Sequence, residues 1–157
     1  MLKVLTKEII INPKAVIFDT DNTLYPYDIA HSAAIDAVKK KSKNTLGISE
    51  KEFSKAYEVA RKDIKLQLGE TASSHSRLLY FQKTIESLGL RTRILVTLDL
   101  EQTYWRTFLT NAKLFAYVRE FILELKSDGV LMANITDLTA QIQFRKMVYF
   151  GLDEHFD

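Results

Sequence analysis

Two aspartates two positions apart, Asp19 and Asp21, close a short apolar run, Ala15-Val16-Ile17-Phe18, and carry the most chemically suggestive spacing in the chain. Once the backbone leaves the extended form beyond Phe18, both carboxyl groups can face one small site. Left uncompensated, two such charges raise each other's pKa, so the pair makes sense if a divalent cation neutralises one while the other holds or releases a proton. Oxygen donors without any cysteine favour Mg²⁺ over zinc. A metal-bound carboxylate at a strand end can attack phosphorus and form an aspartyl-phosphate. The neighbouring carboxylic acid can then protonate the leaving oxygen and later activate water. The absence of cysteine removes thiol nucleophiles and disulfides, and His31, His75 and His155 lack metal-site spacing.

The elements that must position these groups follow from apolar periodicity. Residues 15–18 form an unbroken apolar run too short for a helix, which reads as a parallel strand buried on both faces. Val130 to Ile135 is a second run of that kind, entered through the turn signal Asp128-Gly129. The stretch between them is helical in pattern. Ile29, Ala33, Ala37 and Val38 share one face, with Asp28 as N-cap and Gly47 beyond the end. Ser49 and Glu52 have capping-box spacing ahead of the stripe Phe53, Ala56, Ala60, Ile64. Leu78, Phe81, Ile85 and Leu88 make a further helix. The aromatic residues around Tyr104 and Trp105 make another and read as core, with His75 and Arg77 as side chains that could face a substrate. Leu114 to Leu125 leads into the second strand, and Ala140, Phe144, Met147 and Val148 mark a last helix ending at Gly151. A crossover between parallel strands needs one helix, so the extra helices read as a module inserted directly after the acidic turn. An α/β sheet places ligands at the carboxyl ends of its strands, and the acidic turn stands at such an end.

The sequence AVIFDTDNTLY resembles the first motif of the haloacid dehalogenase superfamily, an apolar strand followed by two aspartates flanking one residue. That resemblance implies Asp19 as nucleophile and Asp21 as general acid and base, with Mg²⁺ held by Asp19 and by the Asp21 backbone carbonyl. Asp21 sets the chain apart from the superfamily's ATPases, which carry Thr there, and from dehalogenases, which lack the acid. LMANITD is similar to the second motif and implies that the Thr136 hydroxyl grips a phosphate oxygen, aided by the N-terminal end of a helix starting near Asp137. The stretch from Lys146 through Gly151-Leu152 to Phe156-Asp157 is similar to the segment that precedes the superfamily's third strand. The implied architecture is an α/β, Rossmann-like core with an incomplete parallel sheet, residues 1–27 and 111–157, carrying an all-helical cap at 28–110. The wording around Asp19 is also similar to pyrimidine nucleotidase-like members, which implies a small phosphorylated metabolite, a nucleotide or sugar phosphate, as substrate.

The superfamily continues with a Lys, usually before Pro, and an acidic pair, and neither follows here. Lys146 lies on the preceding helix and is not assigned that role. Losing one preorganised charge stabiliser costs on the order of 10²–10³ in rate, so the expectation for this chain alone is a phosphomonoester hydrolase scaffold with little activity. The rival readings are a non-catalytic interaction module or clipped fragment, and a receiver-like phosphoacceptor domain, which has no reason for an insertion after its first strand. An open edge on the first strand is expected to promote self-association. The net charge of +2, from 22 Lys and Arg against 20 Asp and Glu, gives no argument for nucleic acid or an anionic membrane surface. The charged residues Lys3, Lys7 and Glu8 break the start of the chain, so no leader or membrane span is expected, and a cytoplasmic protein is the default.

Overall fold

The computed structural model describes residues 13–157, so the opening segment read as carrying no leader, together with the first part of the 1–27 range, lies outside the described residues. Two strands, β1 (Ala15–Phe18) and β2 (Leu131–Asn134), run parallel in register from Ala15 opposite Leu131 to Phe18 opposite Asn134. The pairing continues at its upper end, where the Ile135 N–H donates to the Phe18 carbonyl at 2.8 Å. Asp19 and Ile135-Thr136 therefore leave neighbouring strand tips on the same side.

The expectation that both strands are buried on both faces is corrected. Phe18 and Met132 are buried, whereas Ile17 is 63% and Leu131 59% exposed. The reason is the path of the chain. Helix α5 (Val118–Ser127) enters β2 and helix α6 (Ala140–Phe150) leaves it. Right-handed crossovers that advance in one direction keep their helices on one face of a sheet. The Phe18 ring meets Phe121 of α5 edge-on at 6.3 Å and Phe156 at 6.0 Å. Among the described residues nothing covers the opposite face, formed by Ala15, Ile17, Leu131 and Ala133.

Four helices separate the acidic turn from α5: α1 (Tyr27–Leu46), α2 (Glu50–Leu68), α3 (Arg77–Ser87) and α4 (Ile94–Asn111), with a 3-10 turn at Ala72–His75. Helix α1 begins after Pro26 rather than at a capping Asp28, which sits inside the first turn. Its buried stripe is Ala30, Ala34, Val38 and Ser42, while Ile29 is left 64% exposed. Small side chains at four-residue spacing let α1 lie close against α4, and that close approach outweighs burial of one isoleucine. Helix α2 has the expected capping box, with Ser49 Oγ accepting from the Glu52 N–H at 3.2 Å and Glu52 returning the contact to Ser49 N. Phe53, Tyr57, Phe81, Tyr104 and Phe108 then stack and cross at centroid distances of 5.6–6.5 Å. Each buried aromatic of this kind contributes roughly 1.5–3 kcal/mol, so this cluster holds α2, α3 and α4 together. No helix among the described residues is long and apolar enough to cross a membrane.

Candidate active site

The acidic turn is held by its own backbone. The N–H groups of Thr23 and Leu24 donate to the Thr20 carbonyl at 3.3 and 2.9 Å, and Asn22 donates to the Tyr25 carbonyl at 3.0 Å. Asn22 adopts φ 62°, a left-handed conformation that asparagine tolerates because its short amide can bond locally. Its side chain does so, accepting from the Tyr27 N–H at 2.9 Å and fixing the entry into α1. The Phe115 N–H donates to the Leu24 carbonyl at 2.9 Å, tying the turn to the chain that returns from α4.

Asp19 is exposed and accepts from Thr23 Oγ1 at 3.2 Å. Asp21 is held from both sides on one oxygen. Lys146 Nζ of α6 donates to Asp21 Oδ1 at 2.5 Å, and the Tyr25 hydroxyl donates to the same atom. Lys146 has no exposed surface and lies 5.6 Å from the Tyr25 ring centre and 5.7 Å from that of Phe108. Burial lowers the Lys146 pKa from its usual value, while Asp21 and, more weakly, Asp19 pull the other way. Burial first, and Asp21 second, push the Tyr25 phenol well above its ordinary range, so it stays a proton donor.

Beside this pair is a buried amide and hydroxyl cluster. Asn134 Nδ2 donates to Thr20 Oγ1 at 2.7 Å and to the Phe18 carbonyl at 3.2 Å. Gln143 Nε2 of α6 donates to Thr20 Oγ1 and, at 3.1 Å, to Asn134 Oδ1. The tips of β1 and β2 and one face of α6 are thus joined by side-chain hydrogen bonds. The buried face of α6 is Gln143, Lys146, Met147 and Phe150, which corrects the stripe read through Ala140, Phe144, Met147 and Val148. Phe144 and Val148 point outward at 67% and 63% exposure.

Thr136 stands in the loop after β2, where its Oγ1 accepts from the Leu138 N–H at 3.2 Å. The helix expected near Asp137 starts three residues later, after Thr139, because residues 136–138 spend their first turn on that local hydrogen bond. Asp21 and Thr136 line two adjoining cavities, of about 270 and 580 Å³, which share Lys65 and His75. Asp19 lines neither of these cavities.

Hard oxygen donors are present for a magnesium ion: the exposed Asp19 carboxylate and the Asp21 carbonyl, which is not among the acceptors in the turn's own hydrogen bonds. Mg²⁺ keeps several waters and takes only one or two protein carboxylates, so this donor set fits part of its shell. Among the described residues no group of three or more His, Cys, Asp or Glu gathers that could hold a metal alone. Gln143 and Tyr25 were not singled out from sequence, and Lys146, which the sequence reading declined to place at the site because it lies on the helix before the third-strand segment, is brought to Asp21 by the packing of α6. The available signal was a Gln and a Lys three residues apart, at i and i+3 on one face of α6 beside Met147 and Phe150.

Comparison with known proteins bears on the family and the fold. The family model described as haloacid dehalogenase-like hydrolase matches residues 13–157. A ribulose-1,5-bisphosphate 5-phosphatase from Halopiger xanaduensis is 35% identical over 145 residues, covering 91% of this chain. The chain spans about 60% of that relative's length. Among solved structures, a magnesium-bound HAD-type hydrolase from Bacillus subtilis superposes with a TM-score of 0.62 at 15% identity, over 94% of this chain and 64% of that one. The L-2-haloacid dehalogenase from Xanthobacter autotrophicus gives 0.53 at 18% identity, over 93% and 55%. At such identities the two structures speak for the fold alone.

Proposed function

The chain belongs to the haloacid dehalogenase-like hydrolase family, and from that premise we propose that it is built for Mg²⁺-dependent hydrolysis of a small phosphomonoester. The observation that carries this reading is the arrangement at the strand tips: an exposed carboxylate at Asp19 and, two residues on, a carboxyl group whose Oδ1 is fixed by Lys146 and Tyr25. Asp19 attacks phosphorus in line with the leaving alcohol and forms an aspartyl-phosphate. Asp21 gives its proton to the leaving oxygen, then takes one from the water that attacks the acyl-phosphate. Lys146 is a positioning residue that holds Asp21 and places a positive charge beside the phosphate. Thr136 Oγ1 grips a phosphate oxygen from the neighbouring strand tip. Bound Mg²⁺, held by the Asp19 carboxylate and the Asp21 carbonyl, would neutralise phosphate charge.

In this reading residues 28–110, mainly α1–α4, act as the cap that selects the organic part of the substrate. The relative that acts on ribulose-1,5-bisphosphate supports a sugar phosphate over the nucleotide that the nucleotidase-like wording implies. The test is phosphate release from sugar phosphates and nucleotides with and without Mg²⁺, for the wild type and Asp19→Asn. We expect Mg²⁺-dependent release, weak for this chain in keeping with the low activity expected from its sequence, and abolished in the variant. Unchanged release in Asp19→Asn removes the nucleophile assignment. A second reading, a non-catalytic interaction module, is favoured by the bare apolar sheet face around Ile17 and Leu131, and absence of turnover on every substrate would favour it.

A further inference from the structure

The smaller of the two cavities beside the acidic turn is lined by Asp21 and Asn22 on one side and by Tyr27, Arg61, Lys65, His75, Arg77 and Tyr80 of the helical layer on the other. Four of these carry or can carry positive charge, against a single carboxylate whose Oδ1 already has two donors. The cations are poorly matched by protein acids. Arg61 meets Glu58 only at 3.7 Å on an exposed helix face, and among the described residues neither Lys65 nor Arg77 forms an ion pair. Arg77 spends one guanidinium nitrogen on the His75 carbonyl at 2.9 Å and another on the Tyr27 hydroxyl at 2.5 Å. Its Nε is buried and has no partner among the described residues. The neighbouring Tyr57 hydroxyl is likewise buried without a partner. Leaving a charged donor buried and unsatisfied costs stability unless something supplies the acceptor. Glu70 and Asp137 line the adjoining cavity rather than this one. His75 stands at the junction, its pKa lowered by burial and then by Lys65 and Arg77, as expected where positive charge gathers.

Resting on the reading of Asp19 and Asp21 as the reaction centre, we propose that this cavity binds a second anionic group of the substrate, remote from the phosphate that is cleaved. Arg61 and Lys65, one turn apart on α2, and Arg77 at the start of α3 recognise it. The ligand class is a small organic phosphate with a second phosphate or a carboxylate at its far end. Arginine's planar fork suits either group, and the acid side chains that would repel it are absent from the cation-bearing wall. Asp21 and Asn22, two and three residues beyond Asp19, form the cavity's other wall, so in this reading a molecule bound there extends toward the reaction centre.

The test is direct binding to the whole chain carrying Asp19→Asn, so that turnover cannot obscure affinity. Calorimetry would compare ribulose 1,5-bisphosphate with ribulose 5-phosphate, and 2-phosphoglycolate with ethyl phosphate. Each pair differs at the far end by one anionic group. We expect the doubly anionic member of at least one pair to bind tenfold or more tighter. Adding Arg61→Met and Lys65→Met, both at exposed positions, should bring that ratio to within twofold of unity without moving the thermal midpoint. A gain confined to the bisphosphate assigns the cavity to phosphate, and a gain confined to phosphoglycolate assigns it to carboxylate. Equal affinities within both pairs, no binding at millimolar ligand, or a ratio indifferent to the two substitutions would overturn the proposal. None of these outcomes depends on phosphate release, which separately tests the reaction centre.

Discussion

A primary amine with no exposed surface is costly to bury, and Lys146 meets that cost with one carboxylate and two aromatic faces. Replacing it by Met keeps the stem and removes the charge. Breaking a fully buried pair costs 3–5 kcal/mol, but Asp21 keeps 29% of its side chain exposed, so we expect roughly 1–3 kcal/mol lost in urea unfolding. Phosphate release should fall by about 10²-fold. Stability intact and turnover intact together would show that the ion pair has no part in either. Asp19 and Asp21 were legible from sequence because a carboxylate pair after a buried-strand pattern is a local signal. The Lys146 partnership was not, since it joins residues 125 positions apart. His31 supplies a test of a different kind. Burial, then Arg77, lowers its pKa to about 4, and its Nδ1 is 2.7 Å from the Tyr104 hydroxyl. The unfolded chain takes up a proton near pH 6.5 that the folded ring resists until about pH 4. Stability is therefore full above pH 6.5 and declines as the pH falls through that window. The loss is on the order of 1–2 kcal/mol after discounting for the partly exposed ring. Urea midpoints at pH 7 and pH 5 should differ by less in His31→Gln.

At the scale of elements, the run of helices and strands could be read from the chain because caps and glycines are local. The Ser49 capping box and the Gly47 and Gly151 terminators stand where the sequence places them. Helix faces were harder. Helix α1 turns its alanines inward because α4 approaches closely, and α6 turns a Gln and a Lys inward because Thr20 and Asp21 lie opposite. Hydropathy does not rank the Gln143 and Lys146 face of α6 as buried, for it cannot know that a polar partner waits across the gap. The α1 stripe makes a sharp prediction: Ala34, fully buried, has no room for a longer side chain. Ala34→Leu should cost about 1–3 kcal/mol by overpacking, whereas Ile29→Ala on the exposed side should change the urea midpoint little. Similar losses from both would mean that α1 does not dock by its small residues.

At the scale of the whole molecule, the sheet is half clothed among the described residues. Ile17, Leu131 and Ile135 lie on its bare side at 63%, 59% and 61% exposure, an apolar patch of the kind that marks an interaction surface or an aggregation liability. Self-association, expected from the first strand's open edge, should appear as a concentration-dependent sedimentation coefficient. Ile17→Lys with Leu131→Lys should return it to that of a monomer, and no change would place the contact elsewhere. On the clothed side, the tips of both strands, the acidic turn and α6 are stitched together by Thr20, Asn134, Gln143 and the Asp21 ion pair. Such stitching leaves little freedom for one part to loosen alone. Deuterium uptake at the amides of α6 and of the turn should then proceed as a single cooperative opening, so that the slowest-exchanging protons of that helix report how long the acidic turn and α6 stay joined between fluctuations.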